Sequence, residues 1–178
     1  MRAAGTIAIL GLAFGLAGCG FHPLYATAHG SMKTDMGSIY VEPVPDRLGY
    51  ELRNQLLDLL DARARAAGAA YRLHLTLSEK SDAIGVQSQI VGSGTQAITQ
   101  TAITRYNDTL IVNYELVDTK TNDVVTRGTE TGLSAYNVLS SPYATLASQQ
   151  AAAKNAADDI ADRIRIDLAV YFGQKAKK

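Results

Sequence analysis

Apolar and polar side chains alternate in four segments of this sequence, which is the pattern of β-strands that bury one face and expose the other. Pro43 and Pro45 end the first segment, and prolines at this place suit a strand at the edge of a sheet. The turn TKTND between the third and fourth segments predicts a β-hairpin. The four segments are 38–45 (SIYVEPVP), 71–80 (YRLHLTLSEK), 109–118 (TLIVNYELVD) and 124–136 (VVTRGTETGLSAY).

Two other segments repeat their apolar residues at helical spacing, which predicts amphipathic helices. The first helix is predicted over residues 47–67, with Gly68 as its C-terminal cap. The second is predicted to begin at Ser141 and Pro142, which suit a cap and a first turn, and to end near Gly173. The apolar stripes are Leu48, Leu52, Leu56, Leu59, Leu60, Ala64 and Ala67 in the first, and Leu146, Ala153, Ala157, Ile160, Ile164, Leu168 and Phe172 in the second.

The order strand, helix, three strands, helix is typical of an α+β fold. We expect a two-layer sandwich, in which a mainly antiparallel four-stranded sheet carries two helices packed on one face (β-α-β-β-β-α). The pattern gives no strand register for residues 81–106, which are rich in Thr and Gln. Polar strand residues would lie on the other face, as either an ordinary solvated surface or one that docks into a polar cavity: Arg72, His74, Thr76, Asn113 and Glu115.

The charges of the chain balance, since it has 17 Lys and Arg and 17 Asp and Glu residues. A chain without a strong positive field is a poor candidate for binding nucleic acid, so we expect no such partner. Hydrophobic residues make up 47% of the chain and aromatic ones only 7%, which predicts an aliphatic core. The single cysteine, Cys19, excludes an intramolecular disulfide.

The N-terminus has the composition of a signal peptide. Arg2 is followed by an uncharged, largely apolar run from Ala3 to Gly18, which is shorter than the roughly 20 residues of a transmembrane helix. An uncleaved membrane helix that ends in a free cysteine is the alternative. It is disfavoured because no basic stop-transfer block follows the run.

Leu16, Ala17, Gly18 and Cys19 close this run and resemble the lipobox of bacterial lipoproteins. The resemblance implies that the leader is cleaved, that the Cys19 thiol receives a diacylglycerol, and that the new amino group is acylated. Several acyl chains anchor a protein far more firmly than one. Gly20 stands where lipoproteins of the inner membrane often carry Asp, so the resemblance favours the outer membrane.

These features divide the chain into four parts. We assign residues 1–18 to the signal peptide, 19–38 to the lipidated N-terminus and tether, 39–173 to a single α+β domain, and 174–178 to a basic tail. Within the tether, the apolar side chains of Phe21, Leu24 and Tyr25 have two open interpretations, as a spacer or as a docking segment.

Signatures of catalysis are weak along the whole sequence. Gly92, Ser93 and Gly94 lack the Lys of a phosphate-binding loop and the spacing of a hydrolase elbow, so they predict a turn. The three histidines are scattered, without Cys or carboxylate at metal-ligand spacing. We therefore expect no catalytic residue, no metal site and no cofactor other than the acyl chains on Cys19.

Taken together, the lipobox, the start CGFHPLY and the order of elements resemble the LptE family of lipopolysaccharide-assembly lipoproteins, in its alphaproteobacterial branch. RNQLLDLL at 53–60, the hairpin from YELVD to VVTRG, and Ser-Pro-Tyr-Ala at 141–144 also carry the likeness. The resemblance implies a non-enzymatic protein that plugs the lumen of the β-barrel LptD, assists barrel assembly, and contacts lipopolysaccharide on its way to the outer leaflet.

This resemblance sets the expected partners and location. They are LptD, lipopolysaccharide and, through the lipid anchor, the periplasmic side of the outer membrane. Lys80 and Arg105 are the candidates for contact with lipopolysaccharide phosphates, through charge-assisted hydrogen bonds. Two alternatives stay open, a non-enzymatic scaffold lipoprotein of another cell-envelope complex and a lipid-anchored hydrolase.

The anchor assignment makes the first testable prediction. Replacing the thiol in Cys19→Ala removes the atom that accepts the diacylglycerol, so metabolic labelling of the chain with radioactive palmitate should fall to background. The unsubstituted chain, expressed in the same cells, is the positive control. Labelling that persists in the variant would contradict the assignment.

Overall fold

The computed structural model describes residues 31–92, 94–96 and 98–176. The predictions for the leader, the lipobox (Leu16, Ala17, Gly18), Cys19 and the segment that contains Phe21, Leu24 and Tyr25 lie outside these residues. The predicted α+β order is confirmed. Its elements are α1 (Ser31–Gly37), β1 (Ile39–Val41), α2 (Asp46–Leu60), β2 (Tyr71–Val91), a 3₁₀ helix (Gly94–Gln96), β3 (Ile98–Asp118), β4 (Val124–Asn137) and α3 (Pro142–Lys175).

The four strands form one sheet in the order β1-β2-β3-β4. β1 runs parallel to β2, with Ile39 opposite Tyr71, and α2 makes the crossover between them. The other two pairs are antiparallel, with Leu75 opposite Tyr114 and Tyr114 opposite Gly128. The sheet is therefore mainly antiparallel, as predicted.

One face of this sheet and the two long helices enclose the core. The core residues of the strands alternate with polar residues, so that all of them point toward α2 and α3. The core is aliphatic with few rings, as the composition predicted. Its largest fully buried side chains are Phe172, Ile39, Leu52, Leu56, Leu60, Leu73, Leu116, Ile160, Ile164, Leu168, Val41 and Val112.

The first long helix is shorter than predicted. α2 ends at Leu60, because Asp61 adopts a left-handed conformation (φ 49°) and its N–H bonds to the carbonyls of Asp58 and Leu57. Asp tolerates this conformation better than most side chains. Beyond it the alanine pattern no longer marks a buried face, since Ala67 is exposed and Gly68 lies in a turn.

The second long helix begins where the sequence indicated. The Ser141 hydroxyl accepts a hydrogen bond from the N–H of Ala144, and Pro142 occupies the first turn. The helix continues to Lys175, two residues beyond Gly173. Its stripe is buried only from Ala153 onward, since Leu146 is 48% exposed.

Close contact between α3 and β4 depends on a glycine. A Cβ atom on Gly132 would lie 2.9 Å from the carbonyl oxygen of Ala156 and 2.9 Å from the side chain of Ile160. Any larger residue would push the helix away from the strand. The small residue therefore fixes the distance between the two layers at this point.

The region without a predicted register is an extension of β2 and β3. Val86 lies opposite Ile103 and Val91 opposite Ile98, while β4 pairs with β3 only from Arg105 onward. Residues 83–91 and 98–104 thus form a two-stranded ribbon that projects beyond the third strand, and we call it the arm. The sequence of the arm, rich in Thr and Gln, shows no apolar–polar alternation, because strands that are exposed on both faces have no buried apolar stripe.

A short helix is a further difference from the sequence prediction. α1 (Ser31–Gly37) falls within residues 19–38, which the sequence assigned to a tether. It packs against the C-terminal end of α3, and Met36 contacts the core. The carbonyl of Ser38 then accepts a hydrogen bond from the N–H of Ala70, which ties this segment to the start of β2.

A buried tyrosine joins the sheet to α3. The Tyr114 hydroxyl, on a side chain that is 3% exposed, donates a 2.7 Å hydrogen bond to Asp167 Oδ2. The opposite residue on β4, Gly128, leaves room for the ring, since a Cβ there would lie 2.6 Å from the hydroxyl oxygen. Burial raises the pKa of Tyr114, and the hydrogen bond to Asp167 raises it further.

A matched pair of substitutions on α3 tests the position of the core. Ile164 is fully buried and Ile166, one half-turn away, is 44% exposed. Ile164→Ala should lower the free energy of unfolding by about 2–5 kcal/mol through lost burial and a cavity. Ile166→Ala should change it by less than about 0.5 kcal/mol in the same urea titration. Equal effects would contradict the described packing.

The Tyr114 contact predicts how stability depends on pH. The pKa of Tyr114 is higher in the folded protein than the value of about 10 in the unfolded chain. The protonated hydroxyl therefore stabilises the fold fully below pH ~10, and this stabilisation is lost as the pH rises above that value. Tyr114→Phe should therefore lower stability by about 1 kcal/mol at neutral pH and make the decline above pH ~10 shallower. Thermal melts from pH 7 to 11 measure both effects. Tyr143→Phe, at an 84% exposed ring, is the control and should change neither.

Candidate partner-binding surface

The sheet face that α2 and α3 leave uncovered, which we call the open face, is largely polar. Its centre is a row of three exposed side chains, Thr76, Asn113 and Thr129, which lie opposite one another on β2, β3 and β4. The Thr129 hydroxyl donates a 2.7 Å hydrogen bond to Asn113 Oδ1. Such a row offers donors and acceptors to a partner without the cost of burying a charge.

Two polar side chains at one end of the open face contact neighbouring residues. His74 Nδ1 lies 2.9 Å from Glu42 Oε2, and 58% of the histidine side chain is exposed, as the sequence pattern predicted. Arg72 donates a 2.7 Å hydrogen bond to Asn122 Oδ1. Asn122 is uncharged, so Arg72 keeps its positive charge while its guanidinium is held at this end of the face.

Lys80 and Arg105, the candidates for lipopolysaccharide contact, lie toward the arm. Lys80 Nζ is 2.8 Å from Asp82 Oδ2, and 72% of its side chain is exposed. Arg105 Nη1 lies 3.4 Å from Asn137 Oδ1, which leaves most of its donors available. Lys80 stands opposite Thr109, so roughly 13 Å of β3 separates its position from that of Arg105. The structure does not bring the two into one cluster, and their role stays a prediction.

The arm continues the sheet beyond the base residues Asp82 and Arg105. Its side chains are exposed on both faces, and aliphatic residues stand among Thr, Gln and Ser. Gly92 and Gly94 adopt positive φ angles of 103° and 64° at its tip, a conformation that glycine reaches at little cost. The exposed aliphatic residues are Ile84, Val86, Ile90, Val91, Ile98 and Ile103.

A buried polar cluster lies on the helix side of the arm's base. Asp108 is 2% exposed and accepts a 2.5 Å hydrogen bond from the Ser81 hydroxyl. Burial raises the pKa of Tyr136, and the charge of Asp108 raises it further. The Tyr136 ring stacks on Tyr106, with centroids 5.4 Å apart. The cluster thus joins β2, β3 and β4 at the base of the arm.

The described part of the chain offers few features typical of a ligand pocket, a metal site or a membrane span. A groove of about 300 Å³ lies between the starts of α2 and α3, lined by residues that include Leu48, Glu79 and Leu146. Among residues 31–176, as far as they are described, no group of three or more His, Cys, Asp or Glu side chains could hold a metal ion. None of the described helices is long and apolar enough to cross a membrane.

These features define a class of protein: a small α+β domain with an open polar sheet face and a projecting arm. The family model described as "Lipopolysaccharide-assembly", LptE, matches residues 36–168. The chain therefore belongs to the LptE family. The resemblance inferred from the sequence is confirmed, and with it a role in lipopolysaccharide assembly, in a family of non-enzymatic scaffold proteins of the cell envelope.

Two further comparisons agree with this membership. The chain is similar to the crystal structure of a candidate lipoprotein from Caulobacter crescentus CB15, with 29% identity and a TM-score of 0.59, over 79% of this chain and 94% of that one. It is also 24% identical over 160 residues to an uncharacterised protein of Rickettsia prowazekii, strain Madrid E, which covers 90% of this chain and 92% of that protein.

Sequence reasoning found the open face but missed the arm. The alternation in 71–80 and 109–118 was sufficient to place His74, Thr76 and Asn113 on one face. The sequence contains another indication of the arm. No residue from 83 to 104 is charged, and the glycines of a turn lie within this run. Read together with strand-forming Thr, Val and Ile, this run would have indicated a hairpin.

Proposed function

We propose that this protein is an outer-membrane lipoprotein that plugs the lumen of the β-barrel LptD, helps the barrel to assemble, and assists the passage of lipopolysaccharide to the outer leaflet. Cys19 carries a diacylglycerol and an N-acyl chain and holds the protein on the periplasmic side of the membrane. Membership of the LptE family and the one-sided covering of the sheet support this function.

The observation that carries the proposal is the chemistry of the open face. The interior of an outer-membrane barrel is polar, and its wall presents side chains rather than free backbone edges. The row of Thr76, Asn113 and Thr129 matches such a wall, because hydroxyl and amide groups form hydrogen bonds directly or through water. The contacts of His74 with Glu42 and of Arg72 with Asn122 can stay in place on docking.

The lipid anchor limits the distance between the folded domain and the membrane. Residues 20–30 connect Cys19 to α1, and an extended chain of this length reaches at most about 40 Å. As a flexible coil it would span roughly 18 Å. The anchor therefore keeps the folded body within about 40 Å of the membrane, close enough to enter the barrel from its periplasmic end.

Contact with lipopolysaccharide would use the two exposed cations near the arm. Arg105 can present free guanidinium donors to a phosphate while it keeps its contact with Asn137. Lys80 must first exchange its partner Asp82, and an exposed pair of this kind is weak. Of the two, Arg105 is thus the better placed to bind phosphate.

Co-purification tests this function most simply. The full-length chain, with a C-terminal tag, is isolated from outer membranes solubilised in mild detergent. LptD should be recovered in about equal amount, because the open face binds the wall of its lumen. Thr129→Glu, which places an unpaired carboxylate in that interface, should lower the recovery of LptD by about tenfold.

The control variant carries the same charge on the helical side of the molecule. Tyr50→Glu changes a 61% exposed residue of α2 and should leave the recovery of LptD unchanged. Recovery of a different envelope protein would support the alternative, a scaffold of another complex. Recovery of the chain without any barrel would contradict the proposal.

A further inference from the structure

The end of the molecule that α1 reaches is held together by hydrogen bonds between separate segments. The N–H of Arg63, in the loop after α2, donates to the carbonyl of Gly37 at the end of α1. The Thr119 hydroxyl, in the turn between β3 and β4, donates a 2.7 Å hydrogen bond to the carbonyl of Ala69. α1 also packs against α3. We call this surface the anchor end, and it comprises α1, residues 61–72, the turn 118–123 and residues 173–176.

Positive side chains collect at the anchor end. Arg65 and Lys120 are exposed, and neither forms an ion pair with any residue in the described part of the chain. Lys175 contacts the Tyr71 hydroxyl and lies over its ring, 5.0 Å from the centroid, so it stays near the start of β2. The cations of the anchor end are Arg63, Arg65, Arg72, Lys120 and Lys175, and the sequence continues with Lys177 and Lys178.

The carboxylates of the anchor end are fewer, and two of them have partners there. Asp61 lies 2.7 Å from Arg63. Asp118 Oδ1 accepts a 2.8 Å hydrogen bond from the N–H of Lys120. The whole chain has 17 basic and 17 acidic residues, so acidic side chains outnumber basic ones away from this end. The four carboxylates are Asp35, Asp61, Asp118 and Asp123.

The anchor chain enters the folded domain at this basic end. α1 has seven residues, so Ser31 lies within about 10 Å of Gly37. Residues 20–30 then lead to Cys19, and as a flexible coil they span roughly 18 Å. A lipid on Cys19 therefore holds the cations within a short distance of the phospholipid headgroups, where charge attraction acts over about 8 Å in physiological salt.

We propose that the anchor end binds the anionic phospholipid headgroups of the periplasmic leaflet. This inference rests on the proposed function, from which it takes the lipid on Cys19, and it adds a second, electrostatic contact with the membrane. Each Lys or Arg close to an anionic lipid surface strengthens binding by about fivefold. Because the tether makes this contact intramolecular, a few cations are sufficient.

The contact leaves the open face accessible. The anchor end contains the start of β2 and the turn between β3 and β4, so the strands meet the membrane by their ends. Both faces of the sheet then stand away from the headgroups. A lipoprotein held in this way can still present Thr76, Asn113 and Thr129 to the barrel.

Phospholipid suits this position better than lipopolysaccharide, although both carry phosphate. The anchor holds the protein on the periplasmic side, whereas the proposed function delivers lipopolysaccharide to the outer leaflet. The phosphates that lie permanently beside the anchor end are therefore those of phospholipid headgroups, to which the guanidinium and ammonium groups can donate charge-assisted hydrogen bonds.

Fluorescence quenching by lipid headgroups tests the contact. The diacylglycerol occupies the Cys19 thiol, so an engineered cysteine is the single site for a thiol-reactive fluorophore. Ala66→Cys places the fluorophore on the anchor end, and Tyr143→Cys, at an 84% exposed residue of α3, is the reference. The lipidated full-length chain is reconstituted in vesicles of phosphatidylcholine, with or without phosphatidylglycerol, that contain a lipid with a spin-labelled headgroup.

Quenching at position 66 should be at least about twofold stronger in the vesicles with phosphatidylglycerol. It should fall to the phosphatidylcholine level at about 1 M salt, because the screening length there is only about 3 Å. Quenching at position 143 should be the same in both kinds of vesicle. Stronger quenching at position 143 than at position 66 would contradict the proposal.

Charge reversal supplies a second measurement. Arg65→Glu combined with Lys120→Glu should remove the effect of phosphatidylglycerol at position 66. Lys154→Glu changes a 55% exposed cation of α3 outside the anchor end and should leave the effect unchanged. Equal melting temperatures of the variants and the unsubstituted chain would show that the fold is intact.

The outcomes separate this inference from the proposed function. If the chain floats with the vesicles but phosphatidylglycerol does not change the quenching at position 66, the inference is overturned and the plug function stands. Quenching that responds to lipopolysaccharide in the vesicles and not to phosphatidylglycerol overturns it as well. If the chain does not float with any vesicle, the lipid anchor of the proposed function fails and the inference with it.

Discussion

The structure depends on burial on one side of its sheet. Aliphatic side chains of β2 and β3 alternate with polar ones, so that Leu73, Val112 and Leu116 meet the helices while their neighbours meet solvent. Two helices are sufficient to cover this face, since Gly132 lets α3 lie close to β4. The same alternation that builds the core leaves an uncovered polar face, so the core and the open face are consequences of one pattern.

The sequence predicted the parts of the fold in which burial is periodic. Strands at 71–80, 109–118 and 124–136 and the start of α3 at Pro142 were found because each combines a period with a turn or cap signal. The end of α2 was missed, because Ala64 and Ala67 continue the helical spacing after Asp61 without being buried. Small apolar residues carry too little hydrophobic free energy to extend a helix against a residue that adopts a left-handed conformation.

The sequence predicted less of the candidate site than of the fold, because exposed residues do not produce the apolar period that buried ones do. Which residues share the open face follows from alternation alone, but which of them are neighbours depends on register, and the sequence does not specify register between 81 and 106. The arm is the clearest case. Its strands are held by backbone pairing and by the buried contact of Ser81 with Asp108 at the base, and neither produces an apolar period. Lys80 and Arg105 were chosen for charge, and the structure places them apart.

The central claim is that the open face and the arm, and not the helical side, meet the partner. Hydrogen exchange on the full-length lipidated chain, alone in detergent and in complex with LptD, measures this directly for every amide. The account predicts slower exchange in the complex at the arm and along β4, with little change on the outer sides of α2 and α3. Slower exchange confined to the two helices, with the arm and β4 unchanged, would contradict it.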